Sequence, residues 1–302
     1  MALGDLYDAT AGETSDLYYV DTEMYATPEY GSIYILDAER PALVDTGIGK
    51  EYEAILDAMA EVGIAPDELE AIIPTHVHLD HAGGAGYLAA ECPNADVYVH
   101  ELGAKHLVDP ERLWEGTKAA VEDQISHYAE PKPIPEERIT ELTDGDTIDL
   151  GDHTLDVLHA PGHAPHQAVF YDRANDGVFT ADAAGVYTPG LERVRHTSPP
   201  PTFDLEQILA DVELLQELDP SALYYGHFGD RPTADNLTEY AEVIQTWVDE
   251  VAAARDRLDD DEAVIEHFVE HVDTVDVWGE EKARGEERMN VRGVLTYLDR
   301  RE

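Results

Sequence analysis

The 302-residue chain, 43% of it apolar, is long enough to bury a full hydrophobic core and reads as globular. Its 66 acidic residues against 19 basic ones give a formal net charge of −47, so it offers no basic patch to release counterions from nucleic acid, and nucleic acid is excluded as a partner. One cysteine, Cys92, excludes an internal disulfide and a multi-thiolate metal site, and no apolar run reaches membrane-spanning length.

The acids alternate with regular apolar periodicities instead of collecting in a tail, so they read as polar faces of folded elements. Lysine is scarce, at positions 50, 105, 118, 132 and 282 only. At about 1 M salt the Debye length is roughly 3 Å and the self-repulsion of such a surface is screened. The composition therefore predicts a halophilic protein from a high-salt cytoplasm. The opening "MALGDLYDATAGETSD" lacks the basic and apolar segments of a secretion signal, which agrees with a cytoplasmic location. The oligomeric state is left open, a homodimer included.

In chain order, "LYYV", "SIYIL" and "ALVDTG" read as strands, and "KEYEAILDAMAEVG" as a helix closed by Gly63. The strand "AIIPTH" precedes a helix over about 83–91, the strand "DVYVH", and helices around 101–108 and 111–128. A second strand-rich half is expected from about Arg138, reading "RITEL", "DTIDL", "HTLDVLHA", "HQAVFYD" and "GVFTAD". The stretch 185–203 ends in "SPPPTF" and is expected to be irregular because of its consecutive prolines. Helix 204–218, the strand "ALYYGHFG" and a helical remainder follow. Two strand-rich halves flanked by helices predict an α/β layered sandwich. We read residues 1–258 as the main domain and 259–302 as a helical C-terminal extension, with a packed continuation of the same domain as the other reading.

"PTHVHLDHAGG" places His76, His78, Asp80 and His81 within six positions, just past an apolar run. The residue frequencies of this chain give about 0.003 chance occurrences of that pattern, so it is specific. Neutral imidazole and carboxylate are the donors that Zn²⁺, Fe²⁺ and Mn²⁺ accept. A tight turn between the two pairs leaves each pair short of a full coordination shell, so further ligands must come from elsewhere. Three candidates share one context, each following an apolar strand: His163 in "VLHAPGHAPHQ", Asp182 in "GVFTADAAG" and His227 in "ALYYGHFG". Ends of neighbouring strands converge on one edge of a sandwich. His166 is read as a supporting residue; His100, His106, His153, His159 and His196 are read as ordinary core or surface histidines.

These four motifs, in this order over about residues 17–230, resemble the metallo-β-lactamase superfamily of hydrolases. The resemblance implies a four-layer αββα sandwich holding two divalent metal ions, zinc first, iron or manganese otherwise. By position it implies that His76, His78 and His163 hold one ion, that Asp80, His81 and His227 hold the other, and that Asp182 bridges them. Asp45 of "LVDTG" matches a position that supports the site from behind. Aspartate at 182 is similar to the glyoxalase II and lactonase branch, although "GHAPHQ" departs from the glyoxalase II pattern. Arg284, Arg288 and Arg292 are the cluster available to recognise a thiol substrate, and Tyr187 is near the place of a lactonase tyrosine.

The implied activity is hydrolysis of a small-molecule ester, thioester or lactone by an activated water, with Asp80 orienting that water and relaying its proton. The stretch 185–203, with Tyr187, His196 and Phe203, is expected to shape a lid over the site. The alternative is a redox enzyme similar to the persulfide dioxygenases of this superfamily, which use a single iron.

Overall fold

The computed structural model describes residues 4–199 and 201–301. Seven strands form the first sheet: β1 (Asp5–Asp8), β2 (Leu17–Asp21), β3 (Ser32–Leu36), β4 (Ala42–Val44), β5 (Ala71–Ile73), β6 (Asp96–His100) and β7 (Ile139–Leu142), hydrogen-bonded in that order. The second sheet contains β8 (Thr147–Asp149), β9 (Thr154–His159), β10 (Ala168–Asp172) and β11 (Gly177–Ala181). A two-stranded ribbon, β12 (Val186–Thr188) and β13 (Arg193–Arg195), interrupts the chain before β14 (Ala222–Tyr225) and β15 (Gly229–Pro232) complete that sheet in the order β15-β14-β11-β10-β9-β8.

The side-chain period of two sorts each strand between two cores. In β3, Tyr34 and Leu36 point between the sheets while Ile33 and Ile35 point outward. In β14, Ala222 and Tyr224 meet the inner core while Leu223 and Tyr225 face the helices outside. The outer face of the first sheet is covered by α1 (Tyr52–Val62), α3 (Ala85–Glu91) and α4 (Glu101–Val108), through Ile55, Met59, Leu88 and Leu107. The outer face of the second is covered by α6 (Leu205–Leu218), α7 (Asn236–Arg257), α8 (Asp261–Val269) and α10 (Glu280–Asp299). The result is an αββα sandwich with a C-terminal helical region, α6–α10, that includes the short α9 (Val275–Trp278). Val264, Val291 and Val294, from the last forty residues, belong to the same apolar cluster as Val178 and Leu223 of the second sheet. Among the described residues no helix is long and apolar enough to cross a membrane.

Several boundaries differ from the sequence reading. The helix expected from residue 83 begins at Leu79, as α2 (Leu79–Ala82), and passes into α3, because Gly83 and Gly84 both keep right-handed helical angles. A Cβ on Gly84 would collide with the Thr46 carbonyl, so glycine lets α2 lie directly on the loop after β4. "RITEL" belongs to the first sheet: α4 and α5 (Glu111–Val121) form the crossover that a parallel β6–β7 pair requires. The stretch expected to be irregular contains the β12–β13 ribbon, because Pro189 and Pro199 fall outside its strands; Pro200 lies outside the described residues. Strands β1 and β15 carry no sequence signal above their charged and glycine-containing composition, and pairing with β2 and β14 makes them.

Candidate metal centre

The site is built where strands end. Asp45 follows β4, His76 and His78 follow β5, His163 follows β9, Asp182 follows β11 and His227 follows β14, all at one rim of the sandwich. Cross-loop hydrogen bonds fix these ends to one another. The backbone N–H and hydroxyl of Thr46 both donate to the His81 carbonyl, at 2.6 and 2.7 Å, the Ala168 N–H donates to the Thr75 carbonyl at 2.9 Å, and the Tyr187 N–H to the His227 carbonyl at 2.6 Å.

All seven sequence-predicted residues come together. His78 Nδ1 lies 3.0 Å from both His76 Nε2 and His163 Nε2. His81 Nε2 and His227 Nε2 lie 4.0 and 3.9 Å from Asp80 Oδ2. Asp182 stands between the two sets: Oδ2 is 3.0 Å from His163 Nε2, and Oδ1 is 3.6 Å from both His81 Nε2 and His227 Nε2. The donor atoms of His76, His78 and His163, those of His76, His81 and Asp182, and those of Asp80, His81 and His227 form three groups whose members all lie within 4.8 Å of one another. Two donors bound tetrahedrally to zinc at about 2.0–2.1 Å stand roughly 3.4 Å apart, which these separations bracket.

The ring atoms turned away from the centre are held by the protein. His81 Nδ1 contacts Asp45 Oδ2 at 2.8 Å, and Asp45 Oδ1 accepts from both the N–H and the hydroxyl of Thr75 at 2.8 Å. His227 Nδ1 donates to the Tyr30 carbonyl at 3.1 Å. Such contacts fix tautomer and ring orientation in metal sites. By contrast His81 Nε2 and Asp182 Oδ1 are buried without a hydrogen-bond partner. An orphaned buried polar atom costs on the order of 1–3 kcal/mol, which a cation between them relieves. The residues therefore fit a metal: the clusters are able to coordinate one, and nitrogen with carboxylate oxygen suits a divalent ion of the zinc, iron or manganese type.

The electrostatics point the same way. Burial, and then the neighbouring imidazoles, hold His76 and His163 well below the ordinary histidine range. Burial first also holds His78 and His227 down, to about 4, so their nitrogens are free to bind. Burial lowers His81 too, but the carboxylates of Asp45, Asp182 and Asp80 outweigh it and push the imidazole up to about 10. Asp182 is pushed up to about 7, by burial against the pull of His81. Protonated His81 thus balances buried carboxylates in the metal-free protein, and a divalent ion bound there would take the place of that proton.

A cavity of ≈ 760 Å³ opens onto the centre, where His78, Asp80, His163, Asp182 and His227 line it. Sequence reasoning missed much of its wall: Tyr25, Tyr30 and Tyr128 from the first sheet's loops, and Glu286 and Met289 from α10. No sequence signal marks them, because each reaches the cavity only through tertiary packing. His166 lines the cavity, its ring 5.6 Å from that of His78 and its Nδ1 accepting from the Val77 N–H at 3.4 Å. His106, read as ordinary, is also a wall residue.

Other expectations are corrected. Of the lid candidates, Tyr187 packs between Tyr225 and Arg231, His196 stacks on Trp247 with ring centroids 3.9 Å apart, and Phe203 is fully buried against Tyr297. The stretch meets the cavity instead through Val186, Thr197, Pro199, Pro201 and Thr202. Arg284, Arg288 and Arg292 are tied to Glu280, Glu266 and Glu122 at 3.1, 2.7 and 2.6 Å, and none of the three lines the cavity. Helix periodicity turns their side chains outward, where carboxylates abound.

The sequence profile of the metallo-beta-lactamase superfamily matches residues 26–227, more than half of the chain and the whole span from the loop after β2 to His227, the last histidine of the centre. The chain belongs to this superfamily. It is 27% identical over 208 residues to the metallo-beta-lactamase fold-containing protein ST1585 of Sulfurisphaera tokodaii, covering 67% of this chain and 74% of that one. The crystal structure of ST1585 superposes with a TM-score of 0.69 over 96% of this chain and 98% of the other, at 22% identity, which shows the shared fold. A human acyl-coenzyme A thioesterase, MBLAC2, is 26% identical over 187 residues, 55% of this chain and 62% of its own length. N-acyl homoserine lactonase AiiA of Bacillus thuringiensis is 26% identical over 224 residues, 64% of this chain and 79% of the lactonase. The metal-binding clusters are compatible with a hydrolytic active site of this superfamily.

Proposed function

We propose that the protein is a hydrolase that cleaves an ester, thioester or lactone carbonyl of a small molecule at a dinuclear metal centre. His76, His78 and His163 would hold one ion, Asp80, His81 and His227 the other, and Asp182 would join them. What supports this most is the carboxylate of Asp182, with Oδ2 3.0 Å from His163 Nε2 and Oδ1 equidistant from His81 and His227. Two bound divalent ions supply Lewis acidity towards the carbonyl and lower the pKa of a water from 15.7 towards about 7.

The protein's own groups do the rest. Asp80, partly exposed on the cavity, orients the attacking water and takes its proton: in the metal-free protein burial opposes its ionisation, but His81, His227 and His78 outweigh it and hold its carboxyl below the usual range, and a bound divalent ion would keep it ionised in their place. The Asp45–His81 contact keeps Nε2 aimed inward. The apolar wall, Leu113, Val121 and Met289 among it, seats the acyl or lactone part and excludes bulk water. Residues 1–258 carry the centre, and the 259–302 extension closes its cavity through Glu286 and Met289.

Metal stoichiometry tests the reading. Two ions per chain after anaerobic purification, with turnover of thioester and lactone panels, are expected; one iron per chain with oxygen uptake would replace this reading by the mononuclear dioxygenase-like alternative. Zinc is our first choice of metal on donor chemistry.

The same proposal includes a high-salt cytoplasm, on the strength of the −47 charge. Circular dichroism is expected to report a folded chain in molar KCl and an unfolded one in dilute buffer, since lowering the salt restores the repulsion. Equal melting temperatures in the two would contradict it.

A further inference from the structure

Cations are rare on this surface and nearly all are engaged. Arg40 pairs with Asp149, Arg173 with Asp156, Arg255 with Asp299 and Lys118 with Glu115. Lys105 and Arg112 differ. Both are exposed, both line the mouth of the metal-centre cavity, and among the described residues neither has a salt bridge or hydrogen bond. With 66 carboxylates in the chain, two adjacent free cations are the exception. Asp109, Glu136 and Glu141 line a second groove that Lys105 and Arg112 also line, and no described carboxylate comes within 4.0 Å of either cation.

Two further observations give the mouth a direction and a second character. His106 lines the mouth with both cations and connects inward: its ring is 6.2 Å from that of His166, which is 5.6 Å from that of His78. Leu102, 44% exposed, is the large apolar side chain left in solvent among the described residues, and it lines the same mouth. Free cations, an uncovered leucine and an apolar wall suit a ligand that is anionic at one end and apolar in the middle.

We propose that Lys105 and Arg112, with His106 beside them at the mouth, bind an anionic group, phosphate or carboxylate, of the substrate, set off from the scissile carbonyl by an apolar segment. The term substrate rests on the hydrolase reading above; the anion site does not. A chain of charge −47 repels anions at a distance, and in molar salt any field beyond about 3 Å is screened. An anionic substrate is therefore held only by cations in direct contact with it, and these two have no competing partner.

Coenzyme A, glutathione and N-acetylcysteamine share a thiol and differ in carrying phosphate, carboxylate or no anion. Titrated into the zinc-loaded protein in molar KCl, one of the charged thiols is expected to bind about tenfold tighter than N-acetylcysteamine, and which one identifies the anion. A Lys105→Gln/Arg112→Gln double variant should lose that advantage and bind N-acetylcysteamine unchanged. With the butyryl thioesters of the same thiols, KM for the charged one should rise by the same factor while kcat stays constant. Equal binding of all three thiols by the wild type, or an advantage that survives in the double variant, overturns the proposal. If the binding difference holds but no thioester is hydrolysed, the hydrolase reading falls and the anion site stands.

Discussion

Asp182→Ala is expected to strip the centre of both ions and to lower kcat/KM by at least about three orders of magnitude. The physical reason is that this side chain contributes to both halves. Among the described residues, its carboxylate is the one whose oxygens approach both His163 on one side and His81 with His227 on the other. Without them the proposed first ion keeps three imidazoles and no anionic ligand, the second loses half of its carboxylate charge, and two divalent charges face each other without a negative group between them. A bound metal offers several kcal/mol of transition-state stabilisation, so its loss amounts to a thousandfold or more. Elemental analysis after dialysis against a weak chelator reads the metal content, and the melting temperature of the chelated protein controls for folding. A variant that retains both ions contradicts the bridging role directly.

The second large effect is on stability. Lys282 and Glu286, one turn apart on α10, are buried as a pair, with Nζ 2.6 Å from Oε2 and side chains 5% and 7% exposed. The ammonium also lies 3.8 Å from the centre of the Tyr25 ring and 3.9 Å from that of Tyr30, and the Tyr30 hydroxyl donates to Glu286 at 3.1 Å. Burial acts against both charges, yet the attraction between them keeps the Glu286 carboxyl below its ordinary range and so ionised. Lys282→Met removes the partner and leaves a carboxylate stranded in an apolar wall, which costs about 3–5 kcal/mol. Urea unfolding in molar KCl measures this. Lys282→Met/Glu286→Gln is expected to recover most of the loss, because the cost lies in the unpaired charge and not in the missing contact. A single variant within about 0.5 kcal/mol of wild type would mean that water already reaches the pair.

How much of this was legible beforehand follows from the range of the interactions involved. His76, His78, Asp80 and His81 stand within six residues, so their density is visible in the chain itself, and the strand-end context of His163, Asp182 and His227 is equally local. The continuous apolar runs "SIYIL" and "ALYY" announced strands, and every residue in them is buried because a pleated backbone sends successive side chains to opposite faces and each face here meets a core. The misplaced features are those that only pairing or packing creates. "RITEL" sits in the first sheet through a crossover of two helices, and Val186–Thr188 and Arg193–Arg195 become a ribbon by bonding to each other.

The cavity wall belongs wholly to this second kind. Glu286 and Met289 are more than a hundred residues from the first histidines, and nothing in the surrounding "EEKARGEERMN" separates a buried, paired Lys282 and Glu286 from the exposed charges beside them. Arg284, Arg288 and Arg292 looked available to a substrate and are bound to carboxylates, while Lys105 and Arg112 looked ordinary and are free. The chain alone determined the superfamily, its layered architecture and which histidines and aspartates gather at the strand ends, since each is set by residue type and spacing within a few positions. Only the folded molecule decided which charges are neutralised and which face the cavity, because neutralisation depends on distances of a few ångströms between residues far apart in sequence.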